Sequence, residues 1–324
     1  MQRAGVGAFK PPAGDEGATL SNSGRKDHLD TLAVVVLLGC CTVWGLAQVA
    51  AKVTLAEVPP LLQSGVRSLG AAVLLVLWSR WRGLTLARPD GTAGAGLLAG
   101  CLFALEFACM FIGLQFTTAS RMVVFLYTAP FVVALGMPLI ARNERLNLWQ
   151  GAGLMLAFCG VVWAFAEGFS NPAAGPLQWL GDALGITAAV LWGLTTLVVR
   201  GTRLAGAAPE KTLLYQLAIS ALALTGASAL SAEVWPRSLS PQVALLMLFQ
   251  VVVVTSASYL AWFWLVRHYP ATKAAAFTLL TPLFGLLAGV LLLDEPLTLR
   301  LVVALVTVCA GIAIVNLATR PRAG

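Results

Sequence analysis

ASRMVVFLYTAPFVVALGMPLI (residues 119–140) resembles ATKAAAFTLLTPLFGLLAGVLL (residues 271–292). Ala119, Arg121, Phe125 and Pro130 fall opposite Ala271, Lys273, Phe277 and Pro282 at a constant offset of 152. Further on, the offset becomes 151 and pairs Glu144 with Glu295, Leu146 with Leu297 and Gly160 with Gly311. Nearer the start, VWGLAQVAAK (43–52) matches LWGLTTLVVR (191–200) at offset 148, so that Trp44-Gly45 meets Trp192-Gly193 and Lys52 meets Arg200. Constant offsets separated by small gaps are what a duplicated unit leaves behind. Apolar matches arise easily by chance, so the aligned Pro, Trp-Gly and Glu carry the weight.

The medium in which that unit folds follows from composition. Of 324 residues, 59% are hydrophobic and 11% charged, against about 25% charged in soluble domains. Uncharged runs cover 31–51, 122–141, 146–166, 212–232, 274–293 and 301–319, each near the ~20 residues that span a bilayer. A run at 183–199 is slightly short, and 238–266 is long enough to span with tilt. Segments 59–80 and 92–115 join the set if Arg67 and Glu106 are tolerated inside them. The pattern predicts an all-α membrane protein of ten transmembrane helices. Each repeat then holds five spans, an odd number, so the second copy enters the membrane from the opposite side. Two inverted five-helix repeats result, over 31–168 and 179–318, with a linker at 169–178. Inverted repeats suit alternating access, which points to a carrier and away from a channel or receptor.

The flanks read as tails. Residues 1–30 are polar and rich in Gly, Ser and Pro, without the apolar core of a signal peptide, and predict a disordered cytoplasmic tail. Residues 319–324 form a second cytoplasmic tail. With the N-terminus inside, Arg25, Lys26, Arg80, Arg82, Arg88, Arg142, Arg145, Arg200, Arg203, Lys211, Arg267, Lys273, Arg320 and Arg322 fall on the cytoplasmic side. Only Lys52, Arg121, Arg237 and Arg300 fall on the other. That bias places both termini in the cytoplasm of a bacterial-type inner membrane. The net charge of +7 therefore reports topology, with no nucleic-acid partner implied. The six cysteines all lie in spans, without metal-type spacing, and read as packing residues.

The Trp-Gly pair, TTASRMVVFLYTAPFVVALGMPLIARNERL and ATKAAAFTLLTPLFGLLAGVLLLDEPLT resemble the EamA-type pattern of the drug/metabolite transporter superfamily. The resemblance covers roughly residues 31–318. It implies a 5+5 fold with a central cavity lined by the first, third and fourth helices of each half, and peripheral fifth and tenth helices. It also implies movement of amino acids, other small metabolites or drugs, often outward.

Candidate site residues are those that sit deep. At 1.5 Å per residue, Arg67 lies roughly 12 Å from the periplasmic end of its span, and Glu106 roughly 21 Å from the cytoplasmic end of its own. In a core of about 30 Å, both fall at comparable depth. An isolated charge there costs on the order of 3 kcal/mol, so the two are expected to pair. Such a pair either fixes two helices or works: Glu106 meeting a proton or a substrate ammonium, Arg67 holding a carboxylate. The positions matching Arg67 and Glu106 in the second half are Gln216 and Ser258, so the charges belong to one half only.

Trp44 and Gln48, one turn apart, with Phe107, Tyr127 and Pro130, complete the first-half candidates. Trp192, Tyr259, Phe277, Thr281 and Pro282 are the second-half ones. The aromatics either pack or line a cavity, and the two prolines either kink their helices or free carbonyls as ligands. Glu144 and Glu295 precede Asn147 and Thr298, expected N-caps of the fifth and tenth helices, whose dipoles the two carboxylates suit. Arg121, Lys273 and Arg267 sit where they can snorkel. Small residues on the tenth span (Ala304, Ala310, Gly311) permit a homodimer interface.

No P-loop, metal cluster or nucleophile–base pair stands out, so no enzyme activity, cofactor or metal is expected. The sequence reads as a secondary transporter exporting amino acids or related metabolites, driven by the substrate gradient or by protons through Glu106. Its partners are a small-molecule substrate and the lipid bilayer. An uptake carrier and a non-transporting membrane scaffold or sensor are the alternatives. The topology predicts that a fluorescent protein fused after Gly324 is bright, and that alkaline phosphatase fused there is inactive. The reverse pattern would turn the whole chain over in the membrane.

Overall fold

The computed structural model describes residues 30–86, 89–140, 148–170, 172, 174–269, 277–278 and 280–318. These are helices and short connections, with no strand among the described residues. The N-terminal tail and last residues, and Arg25, Lys26, Arg88, Arg142, Arg145, Glu144, Asn147, Ala271, Lys273, Arg320 and Arg322, lie outside the described residues, as does the Arg267 side chain.

The helices run α1 (Thr31–Thr54), α2 (Pro60–Trp81), α3 (Ala93–Phe116), α4 (Ala119–Leu126), α5 (Ala129–Ile140), α6 (Leu148–Ser170), α7 (Gln178–Gly201) and α8 (Pro209–Leu230). They continue as α9 (Pro241–Leu248), a π-helical stretch (Phe249–Ala257), α10 (Ser258–His268), α11 (Leu280–Leu293) and α12 (Leu299–Ala318). Eight helices, counting Ala119–Ile140 and Pro241–Trp262 as one each, are long and apolar enough to cross a membrane. The apolar helices α11 and α12 follow them. Outward faces carry Leu98, Trp149, Phe158, Leu222 and Leu291, all exposed, as hydrocarbon demands and water would not. None of the six cysteines is bonded to another, and Cys40 and Cys41 are buried.

Helix starts follow local chemistry. Asp30 accepts from Ala33 N at 2.9 Å, and Ser240 from Val243 N at 3.3 Å. Thr298 accepts from Leu301 N at 3.2 Å, which makes it the expected cap of α12. Pro60, Pro209 and Pro241 open their helices where a missing N–H costs nothing. Pro130 does break its span: α4 stops at Leu126, four residues earlier, and α5 resumes at Ala129.

Polar contacts between connections fall into two sets, one at each end of the bundle. At one end the Tyr269 hydroxyl donates to Asp30 at 2.9 Å, and Lys211 meets Asp90 at 2.8 Å. The hydrogen bonds from Lys211 and Thr92 hold the Asp90 carboxyl down at about 2. At the other end, called outer here, Lys52 donates to the carbonyls of Leu114 and Thr117. There the Ser240 hydroxyl and its backbone N, the latter at 2.8 Å, donate to Glu57 and lower that carboxyl below its ordinary value. Glu233 accepts from Leu61 N and Leu62 N at 3.1 and 3.0 Å, capping α2 from across the molecule.

Two expectations about charged residues are corrected at the outer end. Arg121 does not snorkel. It is 3% exposed, donates from Nε to both Asp182 oxygens at 3.1 Å, and reaches Asp182 Oδ2 from Nη2 at 2.6 Å. Its Nη1 donates to Glu167 at 2.8 Å and its Nη2 to the Ala164 carbonyl at 2.5 Å. A fork that finds two carboxylates and a carbonyl within reach has no reason to seek water. Glu295 likewise serves a different helix from the expected one. It accepts from Ala119 N at 2.7 Å and Ser120 N at 2.9 Å, at the N-terminus of α4.

Glycines set the closest crossings. A β-carbon on Gly45 would lie 2.7 Å from Gly285 N and 2.9 Å from Phe284 Cβ, while one on Gly193 would meet Val132 at 2.5 Å. Gly160 abuts Thr307, and a β-carbon on Gly311 would lie 2.9 Å from Ala157 Cβ, so α6 and α12 cross on small residues. Ala304 and Gly311 are thus buried against α6 within the chain. Gly39, on the same helix as Gly45, has nothing within 4 Å of an added β-carbon. Gly45→Leu should therefore lose on the order of 3 kcal/mol or fail to fold. Gly39→Leu should melt within a few degrees of the parent; equal melting of both in detergent would contradict the crossing.

Candidate functional site

The deep polar residues come together around α1, α2, α3 and α10. Arg67 on α2 and Glu106 on α3 are 4% and 6% exposed. The sequence predicts an ion pair, and none joins them among the described residues. The Arg67 guanidinium instead lies 4.3 Å from the ring centroid of Phe107 and 5.2 Å from that of Phe111. Cation–π contact of a desolvated guanidinium contributes about 2 kcal/mol, less than the several kcal/mol that burying the charge costs. Arg67 Nε and Glu106 Oε2 are left without hydrogen-bond partners. Each remains within electrostatic reach of the other and of Tyr259.

The first helix supplies the next wall. Gln48 donates weakly to Met110 Sδ at 3.6 Å, and its Oε1 is unpartnered. Trp44, a turn earlier, donates from Nε1 to Ser258 Oγ at 2.8 Å, and its ring meets Trp262 edge-on at 5.7 Å. Ser258 in turn donates to the Val254 carbonyl at 2.5 Å, inside the π-helical stretch. Wide turns of this kind recur at functional sites.

A second group lies beside the first. Tyr127, in the break between α4 and α5, packs edge-on against Trp192 of α7 at 5.8 Å. Thr281 is 1% exposed, and its hydroxyl lies beside the Cys41 thiol and the Tyr127 hydroxyl. Tyr259 and Tyr127 lie within electrostatic reach, which links the groups.

Three candidates stand apart. Pro130 is exposed at the second residue of α5. Pro282 is buried in the first turn of α11. Phe277 joins Ala33, Leu37 and Tyr269 at the inner end, where its carbonyl accepts from Cys41 Sγ at 3.2 Å.

The halves differ where it matters chemically. Ser258, opposite Glu106 in the repeat, is bonded to Trp44. Trp192, opposite Trp44, is 36% exposed, stacks on Tyr127 and leaves Glu106 unbonded. Among the described residues, buried side-chain atoms without partners lie here on Gln48, Arg67 and Glu106, and elsewhere on Gln63, Ser79 and Thr212. A fold gains nothing from leaving them so, at roughly 1–3 kcal/mol each. Sequence reasoning missed the Arg121–Asp182–Glu167 cluster, since each of these residues lies near a span end; the only signal was that Glu167 and Asp182 flank a connection facing Arg121.

Comparisons with known proteins agree with this architecture. The chain is 26% identical over 285 residues to "Uncharacterized transporter YoaV" of Bacillus subtilis (strain 168), covering 86% of this chain and 96% of that one. It is 26% identical over 284 residues to a "Probable amino-acid metabolite efflux pump" of Escherichia coli (strain K12), covering 85% and 89%. A solved crystal structure, 17% identical, superposes with a TM-score of 0.64 over 90% of this chain and 99% of its own, and shares the fold. Residues 31–166 and 179–317 match the EamA-like transporter family. With that match over most of its length and spans to cross a bilayer many times, the chain belongs to the EamA-like transporter family of the drug/metabolite transporter superfamily.

Proposed function

We propose that this membrane transporter is a secondary carrier that exports amino acids or closely related zwitterionic metabolites by alternating access, without chemical turnover. The observation that carries the reading is the set of buried, unpartnered polar atoms on Gln48, Arg67 and Glu106, brought together along α3. An ammonium group answers Glu106 Oε2, a carboxylate answers Arg67 Nε, and the Phe107, Tyr127, Trp192 and Tyr259 rings supply apolar walls.

The ten-span, inverted-repeat architecture has independent support. The family match comes as two similar-length stretches, one in each half. Helix pairing survives exchange of the halves: α2 packs on α8, α6 on α12, and α1 on α11 as α7 does on α5. Gly45 against Phe284 has its counterpart in Gly193 against Val132, both at the repeat offsets. The partition of polar contacts between two ends supports alternating span directions, with the outer end periplasmic. Two relatives bear the name of probable amino-acid metabolite efflux pumps, which favours export of that class.

Counterflow in proteoliposomes preloaded with an amino-acid mixture tests the proposal. The parent should accumulate labelled solute. Glu106→Gln should reduce accumulation about tenfold to a hundredfold, the loss of one charged hydrogen bond of 1.5–3 kcal/mol. Equal accumulation by both proteins would remove Glu106 from the site. No accumulation by folded parent would remove amino acids from the substrate class.

A further inference from the structure

Beneath its connections, the outer end is joined by three polar side chains, each at 0% exposure. Gln63 of α2 donates from Nε2 to the Ala51 carbonyl at 3.2 Å and to Gln250 Oε1 at 3.3 Å. Gln250, in the π-helical stretch, donates to Thr54 Oγ1 of α1 at 3.2 Å. Followed inward, these elements lead to Gln48, to Arg67, one turn from Gln63, and to Ser258 and Tyr259. Nearer the outer end, Val58 and Leu62 pack with Val243 and Met247 in one buried apolar cluster. Both layers cross the repeat boundary, since residues 54–63 belong to the first half and 243–250 to the second.

The repeat shows what the inner end holds in the same places. The offset of 149 that pairs Arg67 with Gln216 also pairs Pro60 with Pro209, the first residues of α2 and α8, and Gln63 with Thr212. The offset of 152 that pairs Glu106 with Ser258 pairs Leu98 with Gln250. Thr54 keeps its counterpart: Thr202 donates to the Val198 carbonyl at 2.7 Å, as Thr54 does to that of Ala50 at 2.7 Å. The two amides have no such counterparts. Leu98 offers no polar atom, and the Thr212 hydroxyl is buried without a partner. In the apolar layer, Val58, Leu62, Val243 and Met247 answer to Ala207, Lys211, Gly91 and Ala95. Where the outer end buries methyl groups, the inner end has the Lys211–Asp90 ion pair, whose carboxylate is 41% exposed. An exposed pair exchanges its partner for water at little cost, whereas parting the outer layers wets four apolar side chains and breaks two buried amide contacts.

We propose that Gln63 and Gln250, with the Val58–Leu62–Val243–Met247 layer, form the outer gate of the carrier. Their absence from the inner end biases the resting protein toward a closed outer face and an open inner one. The empty carrier thus waits for its cargo on the cytoplasmic side, and the cargo makes its bonds at the centre before the amides part ahead of it. This inference rests on the alternating-access reading with the outer end periplasmic.

Amide hydrogen exchange read by mass spectrometry tests the gate on the full chain in lipid nanodiscs, with no substrate present. Two variants weaken it, one in each layer: Gln63→Thr, which gives the outer position its inner counterpart, and Val243→Ala. In each, segments 54–67 and 240–250 should exchange about fivefold faster than in the parent, the weight of one hydrogen bond. Segments 89–100 and 203–216 should exchange more slowly, because only a gate couples the two ends with opposite signs. Faster exchange at the outer end with the inner end unaltered is a local packing defect and overturns the proposal, as does no change at either end. Val243→Ala removes only two methyl groups and decides alone if Gln63→Thr fails to fold. Counterflow by the parent tests the carrier reading separately. Counterflow without the opposed shift removes the gate alone, whereas the opposed shift without amino-acid counterflow upholds the gate and removes the substrate class.

Discussion

Hydrocarbon gives a polar group no partner, so every N–H, carbonyl, hydroxyl and charge inside the bundle must be met by another part of the chain. The outer end shows how thoroughly that demand is answered. Carboxylates of Glu233 and Glu295 close the starts of α2 and α4, Lys52 closes the end of α3, and Arg121 spends its whole fork on buried acceptors. Against such accounting, the loose atoms on Gln48, Arg67 and Glu106, which meet along α3, become informative. They are expensive where they are, which is the ground for the zwitterionic substrate proposed above.

The asymmetry between the halves sharpens the point. Duplication hands both halves the same crossings, and Gly45 and Gly193 keep them. Side chains at the centre have since diverged. Trp44 found Ser258 as a partner, whereas Trp192 turned to Tyr127 and left Glu106 open. Packing is symmetric and chemistry is not, which separates what holds the bundle from what the bundle handles.

Much of the fold was legible because hydrophobicity and repetition are one-dimensional signals. The aligned prolines read as kinks or as sources of free carbonyls, and at Pro130 the span is interrupted between Leu126 and Ala129. The break in α9–α10 was invisible, since a π-helical stretch such as FQVVVVTSA has the composition of any apolar helix. Depth alone placed Arg67 and Glu106 together but not their orientation, and the rings of Phe107 and Phe111 took the guanidinium that a carboxylate was expected to hold. Arg121 was misread for a related reason. Position along a span says how near water lies, whereas Asp182 and Glu167 are neighbours only in three dimensions.

The carboxylate caps have a consequence for biogenesis. Helices α2 and α4 are made early, yet the groups that close their first turns arrive with residues 233 and 295. Until those residues have left the ribosome, the first half sits in the membrane with amide ends that only lipid headgroups or water can satisfy. Insertion and completion are therefore separate events for this chain, and a nascent first half is a natural client for whatever shelters unfinished helices in the bilayer.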